Sequence, residues 1–216
     1  MDKVTMPWRC QTCKLGAASM PEDCPFHETR RPAGTVLLAE GEKPDVVWYL
    51  RRGRVALGTV SESGADASCA VRGPETLLGI EVLLGQPVPY QVWSLTDVVL
   101  CAIDAAQFRA WTGSLQTPMG AVLDLTLREA ARRIADRQAL EGTAVQRIAR
   151  FLIASHEVGS PDDPLDLQQR VIARVLSMRP ETLSRAMAKL REENALAPGR
   201  NVRIADVEAL RRLAEA

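Results

Sequence analysis

Gln168-Gln169-Arg170-Val171-Ile172-Ala173-Arg174-Val175-Leu176-Ser177-Met178-Arg179-Pro180-Glu181-Thr182-Leu183-Ser184-Arg185-Ala186-Met187-Ala188-Lys189-Leu190-Arg191-Glu192 reads as two short helices joined by a tight turn. The first runs from Gln168 to Leu176, the turn is Ser177-Met178-Arg179, and the second runs from Pro180 to about Glu192. Proline suits the first turn of a helix because the N–H it lacks has no intrahelical partner there. Val171, Ile172, Val175, Leu183, Met187 and Leu190 recur at helical spacing and form one shared apolar core. This is the spacing of a helix-turn-helix.

That packing leaves Glu181, Ser184 and Arg185 on the exposed start of the second helix, with Thr182, Gln168 and Arg179 beside them. Between Gln168 and Arg191 the cations are Arg170, Arg174, Arg179, Arg185, Lys189 and Arg191, against the single carboxylate Glu181. The whole chain is neutral, with 27 Lys and Arg against 27 Asp and Glu, so this basic face is local. Phosphate neutralisation dominates protein–DNA affinity, and the first turns of a recognition helix enter the major groove. There Arg bridges guanine and Glu accepts from cytosine. Downstream, Leu196 to Ile204 around Pro198-Gly199 predicts a two-stranded wing, and Asp206 caps a last helix carrying Leu210 and Leu213.

Working towards the N-terminus, Thr117-Pro118 opens a long helix. Leu123, Leu127, Ala130 and Ile134 recur on it at spacings of four, three and four, the narrow seam of a coiled-coil pair, which predicts a parallel homodimer. Gly142-Thr143 predicts a hinge. From Ala33 to about Gly113, short apolar runs alternate with turn signals, the pattern of an antiparallel β-barrel or jelly roll. Within it, two strands flank the Arg52-Gly53 turn, where glycine supplies a positive φ. Residues before Pro32 carry no sustained period and read as an irregular arm. The predicted organisation is α+β: a cysteine-containing arm over 1–32, a jelly-roll barrel over 33–116, a dimerisation helix over 117–145 and a winged helix-turn-helix over 146–216.

With 46% hydrophobic and 25% charged residues, the 216-residue chain has globular composition. No stretch reaches the length of an apolar membrane span, and Met1 to Cys10 lacks a secretory apolar region, so we read the chain as cytoplasmic with no membrane partner. Catalysis has few carriers: the only histidines are His27 and His156, and there is no nucleophile elbow or phosphate loop. We read it as not an enzyme. Cys10, Cys13 and Cys24 crowd into one stretch, while Cys69 and Cys101 stand in strand-like segments, Cys69 as a buried strand residue. In a reducing compartment this points to metal or redox chemistry before a structural disulfide. Cys10-x-x-Cys13 followed by Cys24-x-x-His27 also has the donors of a tetrahedral zinc site.

The order of barrel, long helix and winged helix-turn-helix, with Arg179-Pro180-Glu181-Thr182-Leu183-Ser184-Arg185 at its centre, resembles the CRP/FNR superfamily of bacterial regulators. Glu181-x-x-Ser184-Arg185 is similar to the FNR-type reading pattern. The resemblance implies a cyclic-nucleotide-binding-like barrel and a double-stranded, pseudo-palindromic operator with TTGAT-like half-sites. Glu181 and Arg185 would read the G·C pair and Ser184 a thymine, and RNA polymerase is the expected further partner. Arg179 departs from the usual Ser or Thr helix cap. Gly79 to Ser94, the stretch matching the family's phosphate-binding segment, has no Arg to hold a cyclic phosphate, so no cyclic nucleotide is expected. The trio Cys10, Cys13 and Cys24 resembles the cysteine cluster of FNR, with Cys101 in the place of its fourth ligand, although ten residues separate Cys13 from Cys24, a longer interval than in FNR. This implies a 4Fe-4S cluster sensing oxygen, nitric oxide or redox state. The alternatives are zinc held by Cys10, Cys13, Cys24 and His27, a thiol–disulfide switch, and a barrel that senses a small ligand or haem.

Overall fold

The computed structural model describes residues 24–60, 66–113, 119–139, 141–157, 167–199 and 201–216. Ten strands and six helices follow in order within these residues. The strands are β1 (His27–Arg31), β2 (Val36–Leu38), β3 (Val46–Arg52), β4 (Val55–Val60), β5 (Asp66–Arg72), β6 (Thr76–Leu78), β7 (Gln91–Ser94) and β8 (Val98–Asp104), with β9 (Leu167–Gln168) and β10 (Asn201–Val202) in the last quarter. The helices are α1 (Ala105–Thr112), α2 (Met119–Ala139), α3 (Ala144–Glu157), α4 (Gln169–Val175), α5 (Pro180–Glu192) and α6 (Val207–Glu215).

The first eight strands make two four-stranded antiparallel sheets, ordered β1-β8-β3-β6 and β2-β7-β4-β5. Their inner faces bury Leu50, Val98 and Leu100 from one sheet against Leu38, Val55, Leu57 and Val92 from the other, the sandwich core of a jelly roll. The expected barrel is therefore present. Two local readings change. His27–Arg31, assigned to the irregular arm, is an edge strand paired to β8; it is short, highly charged and only partly covered, so its alternation is hard to see. Arg52-Gly53 does not close a hairpin. β3 pairs with β8 and β6, whereas β4 pairs with β5 and β7, so the chain crosses there from one sheet to the other. Gly53 has φ 87°, and a Cβ on it would collide with the Asp97 carbonyl oxygen. Cys69 lies on β5 opposite Gly58, its side chain outside those described.

Helices α1 and α2 cover the outer face of the β1-β8-β3-β6 sheet, where Phe108, Val122 and Leu125 pack with Val47, Tyr49, Cys101 and Ile103. Thr117 and Pro118, the expected start of the long helix, lie outside the described residues, and α2 ends at Ala139. At the predicted hinge Gly142 has φ 94°. Thr143 and Gln146 form a reciprocal capping box, the Gln146 N–H donating to Thr143 Oγ1 at 3.3 Å and the Thr143 N–H to Gln146 Oε1 at 2.7 Å. No helix among the described residues is long and apolar enough to cross a membrane.

Candidate nucleic-acid interface and sensor cluster

The helix-turn-helix forms as its apolar pattern dictates, with Ile172, Val175, Leu183, Met187 and Leu190 buried together. Its turn is a Schellman motif: Ser177 takes φ 47°, its N–H donates to the Arg174 carbonyl and the Met178 N–H to the Ala173 carbonyl. Asn194, φ 58°, ends α5 in the same way. Arg147 braces the turn by donating to the Leu176 carbonyl at 2.6 Å. The α5 helix spans Pro180 to Glu192 with proline in its first turn, the boundaries read from the sequence. Arg179 occupies the cap position in extended conformation and makes no side-chain cap bond, so the unusual residue there leaves the first N–H groups of α5 open to a ligand or water.

Glu181, Ser184 and Arg185 are exposed at the start of α5, as are Arg179 and Gln168, with Thr182 half-buried. Gln168 is fixed by β9, whose partner β10 belongs to the wing. The wing closes through the Leu196–Ile204 bridge, and Arg191 ties it to α5 by donating to the Gly199 carbonyl. Asp206 caps α6 through the Glu208 and Ala209 N–H groups. Arg174, counted from sequence in the basic face, turns instead onto the barrel, 5.2 Å from the Trp93 ring centroid. Ala56, Val71, Trp93 and Leu95 of the barrel share one core with α3 to α6, and Arg54, 1% exposed, donates to the Ser155 carbonyl.

Of the expected sulfur ligands, Cys10 and Cys13 lie outside the described residues. Cys24 and Cys101 fall in one apolar cluster with Phe26, Phe108 and Trp111 and with Val122 and Leu125 of α2. Phe26 stands edge-on to both Phe108 and Trp111. Among the described residues no group of three or more metal-ligating side chains occurs. His27 is exposed and sits opposite Ala102 in the β1–β8 ladder. Paired residues point to the same face and consecutive ones to opposite faces, so His27 and Cys101 leave the sheet on opposite sides and do not share a site.

Sequence reasoning missed a polar network between the barrel and α2. Glu81, in the 3-10 turn Ile80–Leu84, accepts from Tyr90 Oη at 2.7 Å and from Arg133 Nη2 at 3.3 Å. Arg133 also donates to Glu129, which with Asp136 grips Arg72 at 2.6 Å each. Burial pulls the Arg72 guanidinium down, but bonds and charges from Glu129 and Asp136 outweigh it and hold the group firmly cationic. The links from Glu81 and Arg72 to α2 join residues 52 to 64 apart and leave no local trace; the i,i+4 spacing of Glu129 and Arg133 and the two-turn spacing of Glu129 and Asp136 on α2 were the available signals.

Leu123 and Leu127 are exposed on α2, with Ala130 exposed between them and the next turn, while Val122 and Leu125 face the barrel. Ile134 lies on α2 with its side chain outside those described.

A two-sheet barrel, a bridging helix with an apolar outer seam, and a winged helix-turn-helix presenting a charged reading face define a DNA-binding transcription regulator. Residues 28–113 match the cyclic nucleotide-binding domain and residues 146–213 the Crp-like helix-turn-helix domain; with both in this order, the chain belongs to the CRP/FNR family of transcription regulators. It is 27% identical over 196 residues to the CRP-like cAMP-activated global transcriptional regulator of Mycobacterium tuberculosis, covering 85% of this chain and 86% of that protein. The fold is similar to a CRP-family transcriptional regulator from Thermus thermophilus (22% identity, TM-score 0.69, 87% of this chain and 97% of that one). It is also similar to FixK2 from Bradyrhizobium japonicum (18% identity, TM-score 0.69, 88% and 98%). Regulators of this family are dimers.

Proposed function

We propose that the chain acts as a homodimer that reads a pseudo-palindromic operator with TTGAT-like half-sites and is switched through its cysteines. Arg185 and Glu181 contact the G·C pair and Ser184 a thymine, with Thr182, Gln168 and Arg179 placed around them for backbone contacts. Leu123, Leu127, Ala130 and Ile134 make the seam between subunits, and RNA polymerase is the partner on the promoter.

The sensing half of the reading rests on one observation: Cys24 and Cys101 enter the same cluster as the first turns of α2. Soft thiolates at these positions suit iron better than oxygen donors would, and Cys10 and Cys13 complete a set of four for a 4Fe-4S cluster. Held by these four thiolates, such a cluster would supply a centre sensitive to oxygen or nitric oxide. Cys24 then ties the arm to β8, and Phe26 carries that tether into the aromatic packing beneath α2. A cyclic nucleotide is not part of the reading: the polar groups of the matching segment, Glu81 and Tyr90, are engaged by Arg133, and the segment has no arginine of its own.

Anaerobic purification with iron, sulfide and zinc analysis tests this. Iron and sulfide with a broad visible absorption that bleaches in air, lost in Cys24→Ala and Cys101→Ala, is the expected result. Colourless protein with one zinc, unaffected by Cys101→Ala, assigns the N-terminal cysteines and His27 to a structural site and overturns the cluster. A Soret band instead moves sensing to haem.

A further inference from the structure

A cavity of about 580 Å³ opens at one end of the β1-β8-β3-β6 sheet, lined by Arg30, Arg31 and Arg52 with Gly53, Thr96 and Asp97. We propose that it binds a small ligand carrying a diphosphate, independently of the DNA-reading face and of the cysteines.

The register builds the site. Arg30 of β1 and Arg52 of β3 are both paired with Val99 of β8. The β3 register shifts between Leu50 and Arg52, so Arg52 reaches this pairing through an irregularity in its strand; the two arginines come from strands that flank a third, with backbones about 10 Å apart at two interstrand spacings. Two guanidiniums lining one cavity from strands on either side of β8 offer each of two linked phosphates its own bidentate donor. Arg31 is the third cation at the rim. It is half-buried and held in place, its guanidinium 5.8 Å from the Trp48 ring centroid and donating to Thr29 Oγ1 at 2.6 Å and to the Arg30 carbonyl at 2.9 Å. Behind it the floor is stiff, because Gly53 lies against the Asp97 carbonyl too closely for any side chain.

Charge favours an anion. The one carboxylate in the lining, Asp97, accepts from the Ala33 N–H at 2.9 Å, and Glu28 balances Arg30 and Arg51 from outside it. Arg52 is exposed and has no hydrogen bond or ion pair among the described residues. With three cations against one carboxylate in the lining, the concavity carries an excess of positive charge that draws in a polyanion. The volume lies within the range of small-molecule sites, too confined for a duplex.

Calorimetric titration of the full chain with inorganic pyrophosphate at low salt tests the site, with inorganic phosphate as comparison. One pyrophosphate per chain, bound at least tenfold more tightly than phosphate and weakened at least tenfold by Arg52→Gln, is the expected result. Arg52 is exposed, so that variant keeps its fold, which circular dichroism verifies. Absence of saturable binding overturns the proposal. So does equal affinity for phosphate and pyrophosphate, or binding that survives Arg52→Gln and is lost in Arg170→Gln, which would assign the anion to the DNA-reading face.

Discussion

Arg133 of α2 lies over Tyr90 with its guanidinium carbon 4.9 Å from the ring centroid, and the Tyr90 hydroxyl donates to Glu81 at 2.7 Å. Helix α2 thus reaches into the barrel segment that holds Glu81 and Tyr90. Burial first, and then the charge of Glu81, hold the Tyr90 phenol well above the ordinary tyrosine range, with Arg133 pulling the other way without prevailing. A group whose folded pKa is raised stabilises the fold fully below its unfolded value, about pH 10 for tyrosine, and that stability is lost as pH rises further. Tyr90→Phe should therefore flatten the loss of stability above about pH 10, and alkaline difference spectra of native wild type and variant should coincide there. An extra phenolate step in the wild type near that pH contradicts the buried geometry.

Arg72 is 1% exposed, and its cation depends on Glu129 and Asp136. Glu129→Ala should destabilise the chain by about 3 kcal/mol in urea unfolding, because a buried charge is left half-paired. Asp136→Ala should cost less, since that carboxylate is the more exposed of the two. Adding Arg72→Met to Glu129→Ala should restore most of the loss; if the double variant is no better than the single, the pair is not what the charge needs.

Arg185→Ala should weaken binding to a TTGAT-type operator by roughly 1–3 kcal/mol and relax preference at the G·C pair. Arg170→Gln should weaken all sequences alike and lower the salt slope of binding by about one. Gel-shift titrations across salt separate the two, and an Arg185 effect equal on every sequence removes it from base reading.

Leu127→Glu places a charge on the exposed seam of α2 without touching Val122 or Leu125, which face the barrel. Sedimentation should show a folded monomer at concentrations where the wild type is a dimer. A dimer of unchanged strength would place the subunit contact elsewhere.

What was legible in the sequence is what local chemistry specifies. The bounds of α5 follow from Pro180 and the apolar spacing behind it, and the Asp206 cap from its position before a periodic run. The exposed start of α5 follows from which positions that run buries. Choices among distant partners were not legible. Arg52-Gly53 carries a turn signal, but which sheet each flanking strand joins depends on β8 and β7, about forty residues downstream. Spacing along α2 accounts for the i,i+4 pairs Asp124–Arg128 and Glu129–Arg133; that Glu129 and Arg133 also reach across to Arg72, Glu81 and Tyr90 depends on distant partners. Arg174 belongs to the basic count by sequence and to Trp93 by packing. For the cysteines, the strand context of Cys101 was visible, whereas its meeting with Cys24 beneath α2 required the β1–β8 pairing that the arm-like composition of residues 27–31 concealed.

The core that joins Trp93, Val71 and Leu95 to α3, α4 and α5 bears on how this protein can be handled in pieces. The two lobes share apolar surface, so heating should give one melting transition in place of two. A fragment limited to residues 146–216 would bare the patch the barrel now covers, a liability for aggregation in isolation. Crystallisation or binding work on the reading lobe alone would need that patch made polar.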